Sequence, residues 1–230
     1  MYPKLYAITD NKYFKNEKDL EKAVFLCLEY NVDIFQYRFK NKSLDQVLKD
    51  FELISNLLYR ENGNLLIILN DYKEYLKHIK NEGFYIHGLH LGQDDFDLKK
   101  DLKLLNFLKE NKLIFGLSTH NYKEVNNALK VWKDYYLSYI GFGPIYKPIS
   151  KKDHDPVVGI EKLKDILSKV PLPVVAIGGI TLENIYSVIE TFRSYREKRY
   201  DLDSLAAISL FFKGNFEENF RKLKKFLINS

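Results

Sequence analysis

The sequence predicts a single closed (β/α)8 barrel. Three observations carry that prediction. Strand-like apolar runs recur at intervals of roughly 20 to 35 residues, with helical periodicity between them. An unbroken alternation of strand and helix points to a parallel sheet. Eight such units in 230 residues match the usual size of a barrel. No linker rich in Pro, Gly or Ser divides the chain, so residues 1–230 read as one domain. The runner-up, an open doubly wound sheet, calls for a Gly-rich dinucleotide fingerprint after the first strand. Thr9-Asp10-Asn11 stands there instead.

The elements follow in order. Lys4–Thr9 is the first strand, and Leu20, Ala23, Val24 and Cys27 line the helix after it. The second strand, Ile34–Arg38, opens the segment Phe35-Gln-Tyr-Arg-Phe-Lys40. Side chains alternate across a strand, so Phe35, Tyr37 and Phe39 share one face and Gln36, Arg38 and Lys40 the other. Ser43 and Gln46 form a capping-box pattern before a helix lined by Leu44, Val47, Leu48, Phe51, Ile54 and Leu58. Strands at Leu65–Leu69, Tyr85–Leu91 and Leu113–Ser118 come next. Asn121 with Glu124 repeats the capping pattern ahead of Val125, Ala128, Leu129 and Trp132. Leu137–Phe142, Pro173–Ile177 and Leu205–Ser209 complete the strands. Phe216, Phe220, Leu223 and Leu227 stripe a last helix.

Composition narrows the function. The formal charge is +5, from 36 basic and 31 acidic residues, and the lysines are interleaved with glutamates. No basic block marks a nucleic-acid partner. No apolar run approaches the ~20 residues of a membrane span. The start, Met1-Tyr-Pro-Lys-Leu-Tyr-Ala, lacks a signal-peptide pattern, so a cytoplasmic location is expected. A homo-oligomer is compatible with all of this. Cys27 is the only cysteine, which excludes an internal disulfide and places it in a helix core.

Barrel sites form at the C-terminal strand ends. Here those ends are polar or glycine although the strand bodies are apolar: Gln36, Arg38 and Lys40; Asn70-Asp71; Gly92-Gln-Asp-Asp95; Ser118-Thr-His120; Gly141-Phe-Gly-Pro144; Gly178-Gly179; Ser209. Two cations on one strand face want an anion, and phosphate fits them. Asp71 and Asp95, on neighbouring ends, either hold Mg2+ against phosphate oxygens or cap the following helices. Asp94 is the competing ligand. Gly178-Gly179 allows close backbone approach to a ligand, and Ser209 offers a hydroxyl. Tyr146–Pro156 is long and charged, either a lid or a surface loop. His87 and His90 lie on opposite strand faces and make a poor metal pair, while His120 stands at a strand end.

Gln36-x-Arg38-x-Lys40, Asn70-Asp71, His90-Leu-Gly-Gln-Asp-Asp95, Gly116-Leu-Ser-Thr-His120, Gly141-x-Gly-Pro-Ile-Tyr146, Ala176-Ile-Gly-Gly-Ile180 and Ile208-Ser209 resemble the thiamine-phosphate synthase family, in its order and over nearly the whole chain. The resemblance implies a barrel that joins hydroxymethylpyrimidine diphosphate to thiazole phosphate, with a carboxylated thiazole also possible, releasing pyrophosphate. It implies that Gln36, Arg38 and Lys40 hold the pyrimidine diphosphate, with Tyr37 and Phe39 in the same binding segment and Asn70 touching it too. Asp71 and Asp95 would ligate Mg2+. Ser118 and Lys151 would bind departing pyrophosphate, with Arg38, Lys40 and Lys151 stabilising its charge. Gly179, Ile208 and Ser209 would hold the thiazole phosphate. The family's Thr-x-Thr-Lys is Pro148-Ile149-Ser150-Lys151 here, and Pro148 offers neither hydroxyl nor NH. Glu190–Asp203 is also longer than in compact members. Two other readings stand beside the transferase: a thiazole tautomerase in which His120 moves a proton, and a non-catalytic sensor of phosphorylated ligands.

Overall fold

The computed structural model describes residues 3–148, 156–198 and 200–228. Its elements alternate as expected: β1 Lys4–Ile8, α1 Glu17–Glu29, β2 Ile34–Tyr37, α2 Leu44–Arg60, β3 Leu66–Asn70, α3 Leu76–Asn81, β4 Gly88–Leu91, α4 Leu102–Glu110 and β5 Ile114–Thr119. Then come α5 Tyr122–Asp134, β6 Tyr139–Phe142, α6 Gly159–Lys169, β7 Val174–Ile177, α7 Ile185–Tyr195, β8 Ser204–Ala207, α8 Ser209–Phe212 and α9 Phe216–Ile228. Every strand pairs in parallel with the next, and β8 pairs with β1 to close the barrel.

Side-chain alternation sorts the strand residues into two cores. The outward set, such as Phe35, Ile67, Leu89, Phe115, Ile140 and Leu205, packs in one continuous layer against the helices. The inward set is small: Tyr6, Ile8, Ile34, Ile68, Tyr139, Val175 and Ala206. Burying each large apolar side chain contributes roughly 1.5–3 kcal/mol, so the outer layer supplies most of the hydrophobic driving force. The inner set leaves room for polar residues near the mouth. One glycine is required for that arrangement. A Cβ on Gly116 would meet the Tyr139 ring at 2.1 Å, so only glycine lets the ring cross the barrel.

The Ser43 capping box is present with both bonds. At α5 only the Asn121 half forms: Glu124 Oε1 accepts from the Asn121 side-chain amide and Oε2 from His120 NH, not from the Asn121 backbone. Strand boundaries differ from expectation by two residues or more at β4, at β6, which begins at Tyr139 and not Leu137, and at β8. β4 begins at Gly88, not Tyr85. Before it, side chains replace ladder bonds: Tyr85 NH donates to Ser55 Oγ at 2.8 Å, and Ile67 NH donates to His87 Nδ1 at 2.9 Å. β8 ends at Ala207, and Ser209 opens α8 instead of ending a strand.

At the N-terminal end of the barrel lies a buried ion pair. Arg196 donates to the Asp203 carboxylate at 3.0 and 3.1 Å and to the carbonyls of Leu167, Val170 and Leu172. Asp203 also accepts from the NH groups of Val174 and Tyr200. The long stretch after α7 is thereby fastened to the starts of β7 and β8. Among the described residues, no helix is long and apolar enough to cross a membrane.

Candidate active site at the barrel mouth

The second strand delivers its residues as alternation requires. Gln36 faces inward and is buried; its Nε2 donates to Tyr6 Oη at 2.8 Å. Tyr37 and Phe39 face outward and are buried against the helices. Tyr37 donates to Asp50 of α2, and Lys42 pairs with the same carboxylate while lying over the Phe39 ring at 4.9 Å. The side chains of Tyr37 and Phe39 therefore brace the segment from behind, so only their backbone groups are left to face a ligand. Arg38 and Lys40 remain for the mouth.

Thr9-Asp10-Asn11, at first only a missing fingerprint, extends the pairing of β1 with β2 through side chains. Thr9 Oγ1 accepts from Arg38 NH at 2.8 Å and donates to Arg38 carbonyl at 3.1 Å. Asn11 Oδ1 accepts from Lys40 NH at 2.8 Å. Asp10 takes the Arg38 guanidinium at 2.7 Å. The backbone under both cations is thus held from the β1 edge.

Asn70 is buried at the end of β3, and Asp71 follows with φ +59°. That left-handed turn is uncommon for aspartate and turns the chain sharply at the strand end. Neither Asp71 nor Asp95 caps a helix: Tyr75 and Asp101 occupy the N-cap positions of α3 and α4. The capping alternative is thereby removed. The Asp71 carboxyl is pushed up to about 6, first by desolvation and then by Asp95 beside it, while Arg38 pulls it down. Three groups from three strand ends therefore share one electrostatic neighbourhood. Asp94 is exposed.

The donor set fits Mg2+. Among the described residues no group of three or more His, Cys, Asp or Glu forms a cage. Two carboxylates with room for substrate oxygens are what Mg2+ accepts. The Asp95 carboxylate also occupies the space above Gly92: a Cβ there would lie 2.8 Å from Oδ2.

Deeper in, a hydrogen-bonded chain crosses the barrel. Gln36 donates to Tyr6; Tyr6 and Tyr139 hydroxyls are 2.9 Å apart; Tyr139 Oη is 2.9 Å from His90 Nδ1; His90 Nε2 is 2.9 Å from Ser118 Oγ. Burial, then Arg38 and His120, lowers His90 to about 4, so the imidazole is neutral at pH 7. Burial pushes both phenols up, so they stay protonated. With the Gln36 amide donating at one end, the run that uses every hydrogen passes Tyr6 to Tyr139 to His90 Nδ1. Nε2–H then donates to Ser118, whose own hydroxyl hydrogen is left to bond a ligand. A cavity of about 20 Å³ adjoins this chain, room for one water-sized group. Tyr6, His90 and Tyr139 were not singled out for this in the sequence. Their signal was polar or aromatic residues at inward positions of β1, β4 and β6.

On the far side, the stretch after β6 pairs beyond the end of β7. Ile145 NH donates to Ile177 carbonyl and Tyr146 NH to Gly178 carbonyl, both at 2.9 Å. Gly178 and Gly179 have φ +99° and +67°. A Cβ on Gly179 would lie 2.6 Å from the Tyr146 carbonyl, so this glycine admits neighbouring chain, not only a ligand. Ile208 and Ser209 are half-buried at the start of α8. Pro148 is half-buried, while Ile149, Ser150 and Lys151 lie outside the described residues. His120 bonds Glu124 Oε2 through Nδ1 at 3.0 Å.

The Thiamine monophosphate synthase family model matches residues 5–194. A thiamine-phosphate synthase of Lawsonia intracellularis is 38% identical over 186 residues, covering 81% of this chain and 78% of its own. One from Persephonella marina is 31% identical over 98% of this chain and 96% of its own. The solved thiamine phosphate pyrophosphorylase of Pyrococcus furiosus shares the fold with a TM-score of 0.72 at 23% identity, covering 98% and 96% of the two chains.

Proposed function

This chain belongs to the thiamine monophosphate synthase family, and we propose that the barrel mouth joins a pyrimidinylmethyl diphosphate to thiazole phosphate in a Mg2+-dependent transfer. The observation that carries the site assignment is the shared neighbourhood of Arg38, Asp71 and Asp95. A guanidinium and a carboxylate pair on adjoining strand ends suit a diphosphate and its divalent ion.

In the reaction the C–O bond to the diphosphate breaks, and the pyrophosphate takes the electron pair. The thiazole nitrogen forms the new C–N bond. Asp71 and Asp95 would hold Mg2+, whose chemistry there would be to supply positive charge against diphosphate oxygens. Arg38 and Lys40, held by Thr9, Asp10 and Asn11, supply the fixed positive charge for the leaving group. Ser118 offers it a hydroxyl hydrogen. The polar chain from Gln36 to His90 presents neutral donors and acceptors to a heteroaromatic ring and holds no charge that would repel a cationic methylene. No side chain need act as nucleophile, so orientation carries much of the rate. Lys151, by family resemblance, completes the pyrophosphate site.

The test is a coupling assay with both phosphorylated substrates and Mg2+, with and without EDTA. Metal-dependent release of thiamine phosphate and pyrophosphate is expected. Interconversion of thiazole isomers without coupling would instead favour the tautomerase.

A further inference from the structure

We propose that Lys73 is a positioning residue that sets the spacing of the two metal-binding carboxylates, an inference that rests on Asp71 and Asp95 holding the divalent ion. Lys73 follows Asp71 by two residues, on the connection from β3 to α3. Its ammonium donates to the backbone carbonyl of Asp95 at 2.7 Å and to the two carboxylate oxygens of Asp101 at 2.9 and 2.8 Å. Asp101 also accepts from the backbone NH of Asp97 at 2.9 Å. All three ammonium hydrogens are therefore directed at the β4–α4 connection, one of them at Asp95 itself. The cation on one metal-bearing loop holds the other loop directly.

Two features argue against an incidental surface pair. Asp101 stands at the N-cap of α4 yet makes no side-chain bond to that helix. Its buried carboxylate, 9% exposed, turns to Lys73 and Asp97 instead. The backbone is also shaped for the reach. Asp71 and Tyr72 both have positive φ, +59° and +26°, and this double turn leads the chain from Asp71 to the clamp at Lys73. Tyr72 is itself held, its hydroxyl accepting from Lys42 NH at 2.8 Å.

The charge balance makes the idea testable. Lys73 and Asp101 neutralise each other, so the clamp adds no net charge beside the ion. In Lys73→Met, Asp101 loses its cation and the region becomes more negative. If charge alone mattered, divalent ions would bind tighter. If spacing matters, they bind weaker.

The experiment measures Mn2+ binding by electron paramagnetic resonance on the purified protein, alongside the Mg2+ concentration for half-maximal coupling. Lys73→Met should weaken both roughly 10-fold, as loss of an outer-shell support does. Lys73→Arg should recover most of the loss, and the KM for thiazole phosphate should stay put. Because Lys73→Met leaves a buried carboxylate unpaired, the charge-neutral Lys73→Met/Asp101→Asn pair is measured beside it and should weaken binding equally. Unchanged or tighter Mn2+ binding in either folded variant overturns the clamp. Asp71→Asn separates the two ideas: if it leaves Mn2+ binding intact, the metal assignment fails. If it abolishes binding while the Lys73 variants bind normally, only the clamp fails.

Discussion

The two ends of this barrel treat charge in opposite ways. At the N-terminal end, Arg196 and Asp203 are buried together, and the partners around them leave no charge uncompensated. At the C-terminal end, Asp71 and Asp95 sit side by side, and burial together with that neighbour drives the Asp71 carboxyl up to about 6. The first arrangement is built to be complete in the folded chain alone. The second keeps two carboxylates together with only the partial relief that Arg38 gives. A barrel can hold such conflict because its opposite end and its outer layer carry the stability.

That contrast can be broken from either end. The largest effect is expected at the N-terminal end. Arg196→Met leaves Asp203, which is 1% exposed, without its cation. Removing one partner of a buried pair costs about 3–5 kcal/mol. Denaturant unfolding should show this loss, while Mn2+ binding by the remaining folded protein stays normal. Weaker metal binding at unchanged stability would erase the distinction. Asp71→Asn should do the reverse, lowering turnover on the order of 100-fold, as loss of a charge-stabilising group does. Its melting temperature without metal should hold or rise, since a like-charge contact is gone.

The smallest effect is a pH dependence that sharpens the comparison. Asp71 is raised in the folded state, so its contribution to stability is present below pH ~4 and lost as pH rises through about 6. The metal-free protein should lose this increment over that window, and saturating Mg2+ should remove the loss. Protons compete with the ion below pH 6, so half-saturation at pH 5 should need about tenfold more Mg2+ than at neutral pH. A flat Mg2+ requirement from pH 5 to 7 would mean that Asp71 does not meet the ion.

How much of this was legible depended on range. Strand number and order followed from local periodicity, because each βα unit is patterned by its own residues. Boundaries slipped where a side chain replaced a ladder bond, as at His87 and Ser55, or where Ser209 entered a short helix. Gln36, Arg38, Asn70, Asp71 and Asp95 could be gathered because strand ends converge in any barrel. The chain of Tyr6, Tyr139 and His90 was not legible, since an aromatic residue in a strand reads as core. Its bonds also span 133 and 49 residues of sequence. Thr9 and Asn11 were visible as residues, but nothing local says that their side chains act as a strand edge.

The Tyr139 ring resting on Gly116 has one more consequence. It makes depth a property that one residue can set. In the proposed reaction a substrate ring would sink only until it met the two phenols, so they would act as a fixed stop. Filling Gly116 would raise that stop, and trimming Tyr139 would lower it. On that reading, preference among rings of different girth would be held by a missing side chain.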